Sequence, residues 1–571
     1  SFIPEYEIPG VSPNIEGFDK NHFWMMFMAK PGNKTESIAR LNMLADSYEK
    51  WINEKLRADP LMSDENFKNK IGAQVISKCE EALRRIRDGI NIVNTDNIAF
   101  EAFCFMNSVM TYQRSIMSYS KQCGSGVECS IRDYMDTDKK EEHFCWRPFQ
   151  IAFVLMNIHS IVDPLCKERA LVDLLYFPTG GGKTEAYLGL IAFTIAHRRL
   201  IANPMDLYNR DGGVTVILRY TLRLLTTQQR DRLTKMIDAA EILRKKTYPK
   251  FGTEPFSIGF WVGGGVTPNK FADLKETDDP DHHEVVRKNM NLLTKQLLAC
   301  PYCGKPLSEK NYHVNPDKHS VDIYCSENDK CIFYHYRDDR MSVPVYFVDE
   351  EIYSKCPTVI LATVDKFAYL PWHPNANALF GRVDRKCDRD GYIAMGNTDH
   401  PKRHTATEHL PAASVHSIKP FAPPELIVQD ELHLITGPLG TIYGAYETMI
   451  QELCTYTVGD QKILPKYVVS TATIKNAEEQ TRCLYARKET AQFPPNGFVL
   501  SDSFFTKEIP LQENPFRKYV GISGMGQSVK TTLLRVYAVV LQTAFVLSEQ
   551  EKYKELIDPY YTLVGYFNSI R

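Results

Sequence analysis

Three groups of side chains carry chemistry by type and spacing. Leu171 to Thr184 reads LVDLLYFPTGGGKT: an apolar run, a Pro178-Thr179 break, three glycines (Gly180, Gly181, Gly182), then Lys183 and Thr184 heading a helical pattern. Strand, glycine turn, Lys-Thr and helix in that order predict a phosphate-binding loop that includes Thr179. Glycines let backbone N–H groups close around anionic oxygens, and the helix start adds partial positive charge. Lys183 would reach the β- and γ-phosphates of a nucleotide, and the Thr184 hydroxyl would hold Mg²⁺. Far downstream, Glu425 to Glu431 reads as a strand ending in acid, followed by Leu432 and His433. Asp430 would hold Mg²⁺ through water and Glu431 would polarise an attacking water. The two segments are expected to meet across adjoining strand tips. Third, Cys300-Pro-Tyr-Cys303-Gly304 and Cys325-x5-Cys331 offer four thiolates, which suit a closed tetrahedral structural Zn²⁺ site, about one ion per chain.

These groups need positioning elements. The chain has 571 residues, enough for three or four domains at roughly 150 residues each. Its 43% hydrophobic and 24% charged content is that of an ordinary globular protein. A net charge of −2 gives no global basic field, so any nucleic-acid site is a local patch. No apolar run approaches the roughly 18 residues of a membrane span, and no signal peptide opens the chain. Ten of the 14 cysteines lie scattered outside the metal-type cluster, which fits a reducing cytoplasm.

Residues 1–145 carry apolar positions at three-and-four spacing and read as a helical accessory domain without a catalytic constellation. Residues 146–497 hold both nucleotide motifs. Lys183 and Asp430 are 247 positions apart, about twice what one sheet needs, so insertions are expected. One spans 268–344 and carries the four cysteines; His313 and His319 within it read as solvated loop residues. The other, 371–424, is rich in Asn, Asp, Gly, Pro and His and reads as a long flexible loop, a lid near a nucleic-acid track. Its His400, His404, His409 and His416 are irregularly spaced, which argues against a metal site there. Residues 498–571 read as a linker helix and the opening strand, Tyr561 to Arg571, of a further domain. The chain therefore reads as a fragment, or a set of ordered segments, of a longer protein.

The motif order resembles that of superfamily 2 helicases. PTGGGKT is similar to their motif I, which tolerates Phe177 where a general phosphate loop wants a small residue. Trp146-Arg147-Pro148-Phe149-Gln150 resembles the segment preceding motif I. That resemblance puts Arg147 and Gln150 at the nucleotide, with the Gln150 amide reading the adenine edge. Arg219, Thr221 and Arg223 after GVTVIL resemble motif Ia, and Thr363 and Lys366 in ATVDKFA resemble motif Ic; both imply contacts to nucleic-acid phosphates. Asp430-Glu431-Leu432-His433 resembles a DEAH box, with His433 coupling it to the next strand. Ser470, Thr471 and Thr473 in STAT resemble motif III, which implies a bridge to the nucleic-acid side.

With DELHLITGPLGTIYGAYE and the terminal VGYFNS, the set from Trp146 to Arg571 looks like the DrmA-like ATPase subunits of DISARM anti-phage systems. The resemblance implies an α/β RecA-like P-loop motor domain with a zinc-binding insertion, an all-helical domain before it and the start of a second RecA-like domain after it. It further implies ATP-dependent DNA translocation or unwinding with ATP, Mg²⁺ and structural Zn²⁺, and a DUF1998-type (DrmB-like) partner subunit. The competing readings are an ATP-gated DNA clamp without unwinding and an RNA helicase.

Overall fold

A computed structural model describes residues 4–566 apart from 16, 139–140, 178–180, 221–222, 278, 337–340, 408–409, 436, 472–476, 488, 500, 514 and 555. Residues 13–507 form one compact unit built on an eight-stranded parallel sheet. In chain order its strands are β1 (Val172–Tyr176), β2 (Val216–Tyr220), β3 (Ile258–Trp261), β4 (Val345–Tyr346), β5 (Val359–Thr363), β6 (Leu426–Gln429), β7 (Lys466–Thr471) and β8 (Thr490–Phe493). The spatial order is β8-β1-β7-β6-β2-β5-β3-β4. The protein is thus mixed α/β.

The strands are near-continuous apolar runs because both faces of the sheet are covered. Successive residues alternate between two cores. Leu175, Leu218, Leu361, Val428 and Val468 enter one; Leu174, Ile217, Ile360, Ile427 and Val469 enter the other. Helices α1 (Lys34–Trp51), α2 (Ala73–Thr95), α3 (Asn97–Gly124), α4 (Pro148–Val162), α5 (Lys183–Leu200) and α6 (Arg223–Lys246) stack outward from the first face. Pro148 opens α4 at the position where its missing N–H costs nothing. Asp96 caps α3 by accepting from the N–H groups of Ile98 and Ala99. Helix α7 (Gly437–Cys454) covers the second face through Tyr443 and Ile450. The helices before Trp146 share one continuous core with the sheet, so the boundary expected at residue 145 falls inside a compact unit.

A buried ion cluster ties those helices to the sheet. Arg85 on α2 donates both terminal guanidinium nitrogens to Asp173 on β1 at 2.7 Å, and Lys466 on β7 lies 2.5 Å from the same carboxylate. Burial opposes ionisation of Asp173, but the two cations outweigh it and hold the carboxyl below its usual range.

The insertion at 371–424 is not the structureless loop expected. Val383–Cys387, Gly391–Ala394, Arg403–His404 and Ala413–Ser417 form a four-stranded antiparallel sheet. Alternation was invisible there because both sheet faces carry polar residues. The insertion at 268–344 contains a hairpin, Tyr312–Asn315 with Ser320–Ile323.

Ser1–Ser12 and Glu508–Arg571 form a second unit. In it Glu5–Pro9 pairs antiparallel with Pro515–Val520, so the chain opens on a strand and not on helices alone. Helix α8 (Val529–Ser548), capped by Ser528, is long and apolar enough by length and composition to cross a membrane, although Lys530 and Arg535 interrupt its apolar run. Residues 561–566 form no strand, contrary to expectation, and 567–571 lie outside the described residues.

Replacing Asp173 with alanine strands two buried cations and should lower unfolding stability by about 3–5 kcal/mol. Chemical denaturation measures it; a loss below about 1 kcal/mol would mean the cluster is not what joins helices to sheet. Because the folded pKa lies below the unfolded value of about 3.9, this stabilisation is fully present at neutral pH. It is lost as pH falls through the depressed folded value.

Candidate functional site

Parallel register carries three strand ends to one edge of the sheet: β1, then β7, then β6. The nucleotide segments therefore sit on strands separated by β7, not on adjoining strands. Thr179 and Gly180 lie outside the described residues. Gly182 caps α5 with φ +94°, in the left-handed region. A Cβ there would lie 2.7 Å from the Gln150 amide nitrogen and would push that side chain aside.

Lys183 is buried at the first position of α5 and donates to the Phe177 carbonyl at 2.6 Å. Burial lowers its pKa, while the Asp430 and Glu431 carboxylates work against that shift. The loop lysine and the acid pair thus share one local field. Asp430 continues β6 by one residue: its N–H bonds the Arg219 carbonyl at 3.1 Å. Its Oδ2 accepts from the Tyr187 hydroxyl at 2.9 Å. That hydroxyl lies 2.7 Å from the Tyr220 hydroxyl and 3.4 Å from Thr184 Oγ1, which also accepts from Gln229 at 3.3 Å. Tyr187 therefore couples the loop threonine to the downstream aspartate. No sequence motif singled it out, although its place three residues after Thr184 puts both on one helix face.

Glu431 is a non-glycine residue at φ +51°, a conformation that costs energy and clusters at functional sites. Burial raises its pKa, as does Asp430 beside it. His433 Nδ1 lies 3.3 Å from Glu431 Oε2 and 3.4 Å from Thr471 Oγ1, so the histidine spans the acid pair and the end of β7. Ser470 is buried, its hydroxyl without a hydrogen bond among the described residues; Thr473 lies outside them.

Arg147 and Gln150 clasp the loop from α4. Arg147 donates to the Gly181 carbonyl, and Gln150 donates to the Gly182 carbonyl at 2.9 Å while accepting from the Arg147 N–H at 2.8 Å. With one hydrogen bond at each end of its amide and its side chain buried, Gln150 braces the loop.

Three of the five residues expected to meet nucleic-acid phosphates sit inside the protein. Arg219 and Thr363 are 0% exposed and Lys366 5%. Arg219 is paired with Glu447 at 2.8 Å and lies over the rings of Phe367 and Tyr443. Lys366 is paired with Asp349 at 2.5 Å. Strand ends in open α/β sheets are where ligands bind, but α7 covers this one and brings Glu447 to it. Thr221 lies outside the described residues, as does the Arg223 side chain.

No protein-family model matches the chain. DISARM protein DrmA of Bacillus paralicheniformis is 48% identical over 584 aligned residues, taking in 100% of this chain and 50% of the relative. The chain belongs to the DrmA-like family. It spans about half the length of the DrmA it matches.

The DrmA-like chain gathers its four clustered cysteines as the spacing predicts. Cys300, Cys303, Cys325 and Cys331 are buried, with sulfurs within 4.8 Å of one another; the Cys300–Cys331 and Cys303–Cys325 pairs are each 3.7 Å apart. Four thiolates about 2.3 Å from one Zn²⁺ would stand about 3.8 Å apart, so the donor set fits that ion. Gly304, at φ +72°, lets the knuckle lie flat on the end of α3: a Cβ there would be 1.9 Å from the Ser120 carbonyl. A zinc so placed would fasten the first insertion to the N-terminal helices. Changing Cys300 and Cys303 together to serine should remove one zinc per chain in metal analysis and expose 268–344 to protease; unchanged zinc content would rule the cluster out.

Proposed function

We propose that this DrmA-like chain is the nucleotide-hydrolysing portion of a superfamily 2 DNA translocase or helicase, RecA-like in its core, acting in DISARM-type defence against phage in the cytoplasm. One observation carries the reading: Lys183, Thr184, Asp430 and Glu431, drawn from segments 247 residues apart, converge at one edge of a parallel sheet. The name of the DrmA relative supports the defence setting.

The chemistry follows from the groups present. The glycine loop and the start of α5 would cradle the phosphates of ATP, and Lys183 would leave the Phe177 carbonyl for the β- and γ-oxygens. Thr184 and Asp430, both held by Tyr187, form a hard-oxygen pair that fits Mg²⁺. When bound, that ion would neutralise charge on the transferring phosphoryl group. Glu431, its pKa raised by burial and by Asp430, would accept a hydrogen bond from the attacking water. His433 and Thr471 would pass the state of that carboxylate to β7.

DNA and a DUF1998-type, DrmB-like subunit are the partners this reading implies, within a multi-subunit system. The alternative is an ATP-gated DNA clamp; with Arg219, Thr363 and Lys366 buried, other groups would have to hold DNA in either reading.

Glu431→Gln should cut ATP hydrolysis by about 100-fold or more while sparing nucleotide affinity, and Lys183→Ala should abolish binding. Hydrolysis by Glu431→Gln at the wild-type rate would refute the site. Strand displacement alongside ATP turnover separates motor from clamp, and DNA against RNA as the stimulating polymer separates a DNA motor from an RNA helicase.

A further inference from the structure

The sheet at 383–417 brings together four side chains that sequence spacing left apart. Cys387 Sγ, one Asp390 oxygen, and a ring nitrogen each from His400 and His404 all lie within 4.8 Å of one another. Asp390 Oδ2 is the centre: His400 Nε2 is 2.9 Å from it, His404 Nε2 2.8 Å and Cys387 Sγ 3.7 Å. Cys387 is buried at the end of its strand, and the other three are largely shielded.

The local chain has the form of a metal knuckle. Cys387-Asp-Arg-Asp390-Gly391 repeats the layout of Cys300-Pro-Tyr-Cys303-Gly304, with a carboxylate in place of the second thiolate. Both glycines have positive φ, +72° and +87°, and in both a Cβ would strike a backbone carbonyl. The Arg389 N–H points at Cys387 Sγ from 3.4 Å. His400 and His404 follow with three residues between them, within the ligand spacing of zinc sites.

The hydrogen-bond geometry of the two histidines suits a cation. His400 Nδ1 lies 2.8 Å from the Pro401 carbonyl, which can only accept, so Nδ1 carries the hydrogen. His400 Nε2, the other ring nitrogen, faces a carboxylate oxygen 2.9 Å away. His404 Nε2 is buried and makes no well-formed hydrogen bond among the described residues. An ion among these atoms would give the Nε2 atoms of both histidines a ligand role. The Pro401 contact is the outer-shell bond that orients a ligating histidine. From the other insertion, His319 Nδ1 stands 3.5 Å from Asp390 Oδ1. The strand pair next to the four ligands has a small apolar cluster, Cys387, Ile393 and Ala413 with Val415, apart from the Val383, Ala394 and Phe421 cluster, and so gains from a staple.

We propose that Cys387, Asp390, His400 and His404 form a second, structural zinc site. One thiolate, two imidazoles and one carboxylate make a borderline-soft set of four ligands, each of a type that binds Zn²⁺. The ion would hold the Cys387–Gly391 turn to the His400–His404 segment, and Asp390 would in turn hold His319 of the first insertion.

Metal analysis of the purified chain tests this by difference, independently of occupancy at the four-cysteine cluster. The double variant Cys387→Ala, His404→Ala should carry one zinc fewer than the wild type; equal content overturns the site. Asp390→Cys guards against a variant that merely misfolds, because it completes a Cys-x2-Cys knuckle. That variant should keep the wild-type zinc count and, when loaded with Co²⁺, gain thiolate-to-cobalt absorbance near the size of one added sulfur. Loss of zinc, or no gain in absorbance, would show that the four residues do not ligate a metal.

Discussion

Everything at the proposed nucleotide site depends on parallel strand register. Backbone hydrogen bonds align β1, β7, β6 and β2 so that their carboxyl ends fall on one edge. The Asp430 N–H to Arg219 carbonyl bond then extends that register one residue past β6 and sets the aspartate at the strand tip. Parallel pairing needs crossover connections, and a crossover can be lengthened without disturbing the ladder. That is why 247 residues can intervene between Lys183 and Asp430 while the Tyr187 hydroxyl still reaches the carboxylate.

Long insertions raise loop-closure cost only slowly with length, but each must bury or staple its own polar backbone. The first does so around four sulfurs seated on α3, where Gly304 permits contact with Ser120. The second folds into its own sheet. The N-terminal helices are joined differently, through Arg85 and the Asp173–Lys466 pair, which lie on the sheet face opposite α7. The same strand that leads into the phosphate loop therefore also anchors the accessory helices.

Motifs whose function depends on backbone shape were legible in the sequence. Glycine before Lys-Thr, acid after an apolar strand, and Cys-x2-Cys-Gly each dictate local conformation, and each is found in the expected setting. What depends on tertiary cover was not legible. Arg219 reads as a surface cation until α7 brings Glu447 against it. Gln150 gives no sign in sequence that the Gly182 carbonyl takes one of its amide hydrogens. His400 and His404 read as loop residues because their thiolate partner lies 13 and 17 positions upstream, across a turn that only the sheet closes. The strand expected from Tyr561 rested on motif resemblance, which carries no information about a pairing partner, and 561–566 form none.

The central claim is that one divalent ion is shared by the loop threonine and the strand-tip aspartate. Electron–nuclear double resonance on the chain loaded with Mn²⁺ and a non-hydrolysable ATP analogue tests it directly. A single Mn²⁺ coupled to phosphorus is expected, with that signal lost in both Thr184→Val and Asp430→Asn. Mn²⁺ that shows no phosphorus coupling, or coupling that survives both substitutions, would contradict the account.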